Sequence, residues 1–283
     1  MKEKTKEMMK VGSVIFGGIY LSFCFLGKTY LIKKFEGQNL KKGYYNREIK
    51  DPRFLAEFFK EIGQIDKFYH KDFKSNTKNV VTIDILIDPS VKLFYDDAVN
   101  EGDNSDWVDH AKKSLGGLGY FNEFTDLEFK INSVKGVYVP KLHQSFNDEG
   151  DEESKFYSTV GYLNSVKGNY DSDILILLMG GEEIKNLLGA VNGINGDACF
   201  VTMTNNDELN KSVIAHEVGH LFGAMHQGIF LYEWLYAPSF GKINYGVDIM
   251  TPGNLIVANW SSSTKKTIEE NKHRFRHNLK ENQ

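Results

Sequence analysis

Hydrophobic and polar positions change period several times along this chain, and each change marks an element. In "NVVTIDILIDPS", Val81, Ile83, Ile85 and Ile87 alternate with Thr82, Asp84 and Leu86. A period of two is that of a strand, and Pro89 ends it. "LEFKINSVKGVYVP" alternates Leu127, Phe129 and Ile131 and predicts a second strand. "DILILLMGG" is continuously apolar up to its glycines and predicts a buried strand. A Gly-rich stretch then leads into a fourth strand from Ala198 to Met203.

Other segments carry the helical period. Phe54, Leu55, Phe58, Phe59, Ile62 and Ile65 form one such set; Trp107, Val108, Ala111, Leu115 and Leu118 form another. A helix is expected to start between Asn205 and Asp207, because Asn205 with Glu208 three residues on has capping-box form. "SSSTKKTIEENKHRFRHNL" predicts a closing helix capped by Ser262 or Ser263. "NDEGDEES" (Asn147–Ser154) reads as a solvated acidic loop, since it lacks the ordered ligand spacing of a calcium loop. The order strand, helix, strand, strand, strand, helix, helix predicts an α/β sandwich.

The ends of the chain differ in charge. Residues 1–78 hold 17 Lys/Arg against 9 Asp/Glu, a balance of +8; the remainder holds 17 against 29, or −12. "MKEKTKEMMK" precedes the uncharged run Val11–Leu26. A basic stretch before an apolar run predicts a signal peptide, or a membrane anchor where it is retained. The chain divides accordingly into a targeting segment (1–27), a Lys-rich, pro-like prefix (28–78) and a globular domain (79–283); the prefix reads first as a loosely ordered Lys-rich segment, and alternatively as one that docks on the acidic remainder or an anionic surface. With two cysteines, Cys24 and Cys199, there is no disulfide framework. A net charge of −4 gives no basic footprint, and nucleic acid is not an expected partner.

The chemistry concentrates in "HEVGHLFGAMH". On a helix His216 and His220 lie about 40° apart around the axis and one turn apart along it, so two imidazoles can chelate one ion. Glu217 lies about 60° from His220, at the edge of such a site. Ile214, Val218, Leu221 and Phe222 occupy the other side. Gly223 can adopt the positive φ that ends a helix, which lets the chain return His226 as a third ligand. Three nitrogens with an open fourth position is the pattern of a catalytic zinc site holding one ion. His70, His110, His143, His273 and His277 show no such spacing.

These residues resemble the signature of the metzincin metallopeptidases, HExxHxxGxxH followed by a methionine turn, with "DIMTPG" supplying the turn and Met250 its methionine. Within that clan the chain is most similar to the reprolysin (adamalysin-like) branch, over about Asn79 to Leu279. "TIDILIDPSVKLFYDD" resembles its first strand and following segment. "GDACFVTMTNNDELNKSVIAHEVGH" resembles its edge strand and active-site helix, and "WSSSTKKTIEEN" its terminal helix. The chain departs from the branch at Gln227, where Asp usually follows the third His, and at Asp248, where Cys usually precedes the Ile-Met pair. No tyrosine stands two residues after Met250, so a tyrosine ligand is not expected.

The resemblance implies a zincin fold: a mixed twisted sheet, an active-site helix, and a smaller irregular C-terminal subdomain ending in a helix. It implies a zinc endopeptidase with His216, His220 and His226 as ligands. Glu217 would be general base and acid toward a metal-activated water, and Met250 a packing base. A peptide or protein substrate would lie along an edge strand near Ala198–Met203, with Thr251 to Ala258 shaping a pocket. The protein is expected to be monomeric, and secreted or anchored by its N-terminal segment. Two other readings share the site: a catalytically silent secreted or tethered binding protein, and a zinc hydrolase of non-peptide amides or esters.

Overall fold

A computed structural model of the chain describes residues 49–70, 79–99, 106–138, 152–180, 188–226, 248–251 and 258–275. The targeting segment, most of the prefix before residue 49, Gln227 and residues 252–257 of the expected pocket wall lie outside them. No described helix is long and apolar enough to cross a membrane.

The described chain is mixed α/β. Its helices are α1 (Pro52–Tyr69), α2 (Pro89–Val99), α3 (Trp107–Leu115), α4 (Glu152–Lys167), α5 (Asp207–Leu221) and α6 (Ser262–Asn271); a 3₁₀ segment, Gly116–Glu123, extends α3. The strands are β1 (Val80–Ile87), β2 (Glu128–Gly136), β3 (Ile174–Gly180), β4 (Gly189–Val191) and β5 (Ala198–Met203). They form one sheet in the order β2-β1-β3-β5-β4, parallel except for β4, which runs antiparallel to β5.

A parallel sheet is covered on both faces, which is why β3 and β5 are buried throughout and read as unbroken apolar runs. On one face Leu86, Leu175, Leu177, Met179, Ala198 and Phe200 pack with Leu163 of α4. By alternation Ile83 and Ile85, Ile174 and Ile176, and Cys199 and Val201 take the opposite face, toward α5. Cys199 is a buried thiol.

Three elements depart from the sequence reading. Glu152, Glu153 and Ser154, the end of the expected acidic loop, begin α4, while residues 147–151 lie outside the described residues. Phe156, Val160, Leu163 and Val166 recur at helical spacing there, but Gly161 and several Ser, Thr and Asn residues blur the stripe. Residues after Pro89 form α2, capped by Asp88, whose Oδ1 accepts from the Ser90 N–H at 2.8 Å. The short strand β4 hides in the Gly-rich stretch, being too brief to show a period.

The helix expected in the Lys-rich prefix is α1, and it belongs to the packed core. Phe58 and Ile65 are wholly buried, and Phe58 stacks on Trp107 at 5.6 Å between ring centroids. Asp66 Oδ1 accepts from the Val134 N–H of the outermost strand β2 at 2.7 Å. Trp107 Nε1 donates to Glu61 at 2.8 Å, and the buried Lys92 ammonium lies 3.1 Å from the same carboxylate.

Candidate metal centre

The site is built on α5, and both ends of that helix are tied down. The N-cap is Asn206, one residue later than the capping-box spacing suggested: its side chain accepts from the N–H groups of Glu208 and Leu209. Asp207 and Glu208 in the first turn suit the positive end of the helix dipole. Asn210, wholly buried, accepts from Thr204 N–H at 2.8 Å and donates to Thr204 O at 2.9 Å, which fastens the helix to the end of β5. His110 has a structural place here: its Nδ1 lies 2.6 Å from Asp207 Oδ1 and its ring stacks on Tyr95 at 4.2 Å.

At the other end Gly223 has φ +84, the left-handed conformation its position in the motif calls for. Its N–H donates to His220 O at 2.9 Å, and Ala224 N–H donates to Gly219 O at 3.0 Å. Asn195, itself at φ 60, also donates from its N–H to His220 O, and Arg274 donates to Leu221 O at 2.8 Å and to Asn195 O. The last carbonyls of the helix are thus occupied by a turn and a cation.

The sharp turn returns His226 to the helix. The three Nε2 atoms form a near-equilateral triangle: His216 to His220 3.1 Å, His216 to His226 3.1 Å, His220 to His226 3.0 Å. Two rings are oriented from behind. His216 Nδ1 donates to Ile249 O at 2.7 Å and His220 Nδ1 donates to Ala224 O at 2.7 Å. A carbonyl only accepts, so the proton of each neutral ring sits on Nδ1 and the Nε2 lone pair faces the triangle. Burial holds all three imidazoles neutral: His216 is lowered, His220 is lowered to about 3 and His226 to about 4, the neighbouring rings adding to the effect at the last two.

Lone pairs converging this closely repel one another unless a cation lies among them. In a tetrahedron with bonds of about 2.0–2.1 Å, ligand nitrogens stand roughly 3.3–3.4 Å apart. The triangle is only slightly tighter, and its donor set suits zinc. Among the described residues, this is the cluster whose ligand atoms could hold a metal ion.

Met250 is fully buried, and its sulfur would lie 2.7 Å from a Cβ at Gly219, so glycine in the HEVGH stretch lets the turn press against the helix beside His220. Asp248 fixes that turn to the C-terminal helix: its Oδ2 accepts from Ser261 N–H at 3.1 Å and Thr264 Oγ1 at 2.7 Å. Ser261 is the cap of α6, where Ser262 or Ser263 had been expected. Glu217, adjacent to His216 in the chain, is 5% exposed, and burial pushes its carboxyl up to about 8.

One expectation about the surroundings is overturned. Ala198–Met203 is β5, an inner strand hydrogen-bonded on both sides; the edge beside α5 is β4. Leu188 O accepts from Thr202 N–H and Asn192 N–H donates to Ala198 O, so residues 188 and 192 face β5. By antiparallel alternation the backbone groups of Gly189 and Val191 point the other way, along an edge that no described strand pairs. The sequence reading also missed the Ile249 and Ala224 carbonyls, Asn195 and Arg274. Backbone groups leave no residue signature, and a residue 25 or more positions from its partner leaves no spacing.

No family model matches the chain, and no curated protein does. Among solved structures, a chain in one described as "Structure of a chaperone-substrate complex" superposes with a TM-score of 0.40 at 12% identity, covering 69% of this chain and 35% of its own. The present chain spans about a third of that one, and a likeness so remote bears on neither fold nor function.

Proposed function

We propose that the chain is a zinc-dependent endopeptidase of the metzincin clan, most like its reprolysin branch. The observation that carries the reading is the triangle of His216, His220 and His226 Nε2 atoms, 3.0–3.1 Å on a side, with two protons held on Nδ1 by backbone carbonyls. Met250 under Gly219 and the positive φ of Gly223 support it, because each gives a residue of the sequence pattern a physical task. Bound by the three nitrogens, zinc would supply a Lewis acid that acidifies water and polarises a carbonyl.

The chain's own residues supply the rest. Glu217 takes the proton from the attacking water and delivers it to the leaving nitrogen, so the C–N bond breaks to give a carboxylic acid and an amine. Burial raises the Glu217 carboxyl in the metal-free protein, and a zinc ion held by the three histidines would draw it back toward the ionised form that accepts a proton. An extended peptide would pair with the outward backbone groups of Gly189 and Val191, on the strand that passes over Glu217. The basic and then apolar N-terminal sequence supports export or anchoring, and the substrate would then be met outside the cell.

The test is digestion of a diverse peptide library by zinc-loaded protein, read by mass spectrometry with and without chelator. Cleavage that a chelator abolishes and zinc restores supports the reading. Protein that holds one zinc and cuts nothing is a binding module, and cleavage confined to non-peptide amides or esters marks a different hydrolase.

A further inference from the structure

Gly189 opens β4, and its backbone is outside the left-handed region, so nothing in its conformation calls for glycine. What calls for it is Glu217. A Cβ at position 189 would stand 2.7 Å from both Cγ and Oε1 of Glu217 and 2.9 Å from Cδ. These three nearest atoms all belong to one side chain, and two of them are in the carboxyl group.

Gly117 and Gly180 differ in kind. A Cβ at Gly117 would strike the Lys211 carbonyl at 2.2 Å, and one at Gly180 the Ser90 carbonyl at 2.4 Å, both backbone obstacles. At Gly189 the obstacle is the far end of a side chain that can rotate. The fold can accept a methyl group there, at the cost of moving the carboxylate. Because Glu217 is 5% exposed, any new position for it must be found inside the protein.

We propose that Gly189 is a positioning residue for Glu217: the bare strand backbone at 189 is the wall that fixes where the carboxylate stands. The proposal rests on the reading of Glu217 as the base. It gives β4 a second task, since the strand whose free edge is offered to a peptide also sets the group that acts on it.

Four proteins test it: the parent, Gly189→Ala, Glu217→Ala and the double variant. Thermal unfolding in chelator, zinc content by elemental analysis and peptide turnover are measured on each. Gly189→Ala should lower Tm by about 2–4 °C or more where Glu217 is present. It should not lower Tm where Glu217 is already Ala, because the obstacle is gone and Gly→Ala in an ordinary strand conformation restricts the unfolded chain.

Zinc per chain should be equal in the parent and Gly189→Ala, while kcat falls at least about tenfold with a smaller change in KM, and by no more than the roughly 10²–10⁴-fold ascribed to general acid–base catalysis as a whole. An equal loss of Tm in both backgrounds overturns the proposal, as does parental turnover by Gly189→Ala. Should Gly189→Ala alone fail to fold, the double variant decides: parental stability supports the proposal and failure to fold overturns it. A parent that cuts no peptide defeats the endopeptidase reading and leaves the Tm comparison to judge the wall.

Discussion

His216 Nδ1 donates to Ile249 O at 2.7 Å, and Ile249 sits in a turn that Asp248 fastens to α6 through Ser261 and Thr264. The orientation of the His216 imidazole thus depends on a carboxylate two links away. Asp248→Ala should remove both fastenings and weaken zinc by about 10–100-fold, the usual loss for a group that orients a ligand. Competition with a chromophoric chelator measures this. Unchanged affinity would mean that Ile249 O keeps its place without Asp248.

His226 reaches the site only because the chain reverses at Gly223. If it is one of three ligands, His226→Ala should bind zinc roughly 10²–10³-fold more weakly, one ligand's share of the 10–16 kcal/mol typical of four-ligand sites. The parent should hold about one zinc per chain. Equal zinc content in the two proteins at a limiting free zinc concentration would remove His226 from the ligand set.

Glu217 follows His216 on α5 and is not one of the three residues of the triangle. Glu217→Gln keeps the shape and removes the base, so zinc content should stay at the parental value. Turnover should drop by at least about 10²–10⁴-fold, while a peptide paired along β4 should still bind. Parental turnover by this variant would sink the mechanism.

The same substitution has a pH signature in metal-free protein. Burial raises the Glu217 carboxyl from 4.5 to about 8. Between those values the folded protein keeps a proton that the unfolded chain has released, so this group costs stability as pH rises from 4.5 to 8. Glutamine does not titrate. The Tm of Glu217→Gln minus that of the parent, in chelator, should therefore grow from pH 4.5 to 8 and level off above. The lowered histidines titrate in both proteins and largely cancel in the difference. A difference that is flat with pH would mean the carboxyl is not desolvated.

Much of this site was legible in one stretch of sequence because a helix converts spacing into geometry: His216 and His220 had to share a face, and Gly223 had to be where the chain could turn. The four longer strands were legible for the same reason, β1 and β2 by alternation and β3 and β5 by unbroken apolarity. β4 was not, since three residues carry no period, and so the edge was assigned to β5. The cap Asn206 was placed one residue early and Ser261 one or two residues late, because neighbouring Asn and Ser residues offer the same chemistry and only the helix phase chooses among them. The packing of α1 was hidden by its Lys-rich surroundings. Charge described the solvent side of that helix, while Phe58, Ile62 and Ile65 determined where it went.

The burial of α1 changes what truncation should do. A basic prefix docked by charge alone would leave on deletion of residues 28–78, and activity would rise most at low salt. Instead α1 covers Gly136 of β2 with the rings of Phe58 and Phe59, stacks Phe58 on Trp107 and gives Asp66 to the edge strand. Removing it would expose apolar surface on β2 and α3 and leave the buried Lys92 without Glu61. Phe58→Ala alone should cost about 3–5 kcal/mol, the usual range for emptying an aromatic site in a core. Deletion through residue 78 should give protein that is insoluble or melts far below the parent at any salt concentration. A chain beginning at residue 79 that kept the parental Tm and zinc content would show α1 to be an appendage held by its charges.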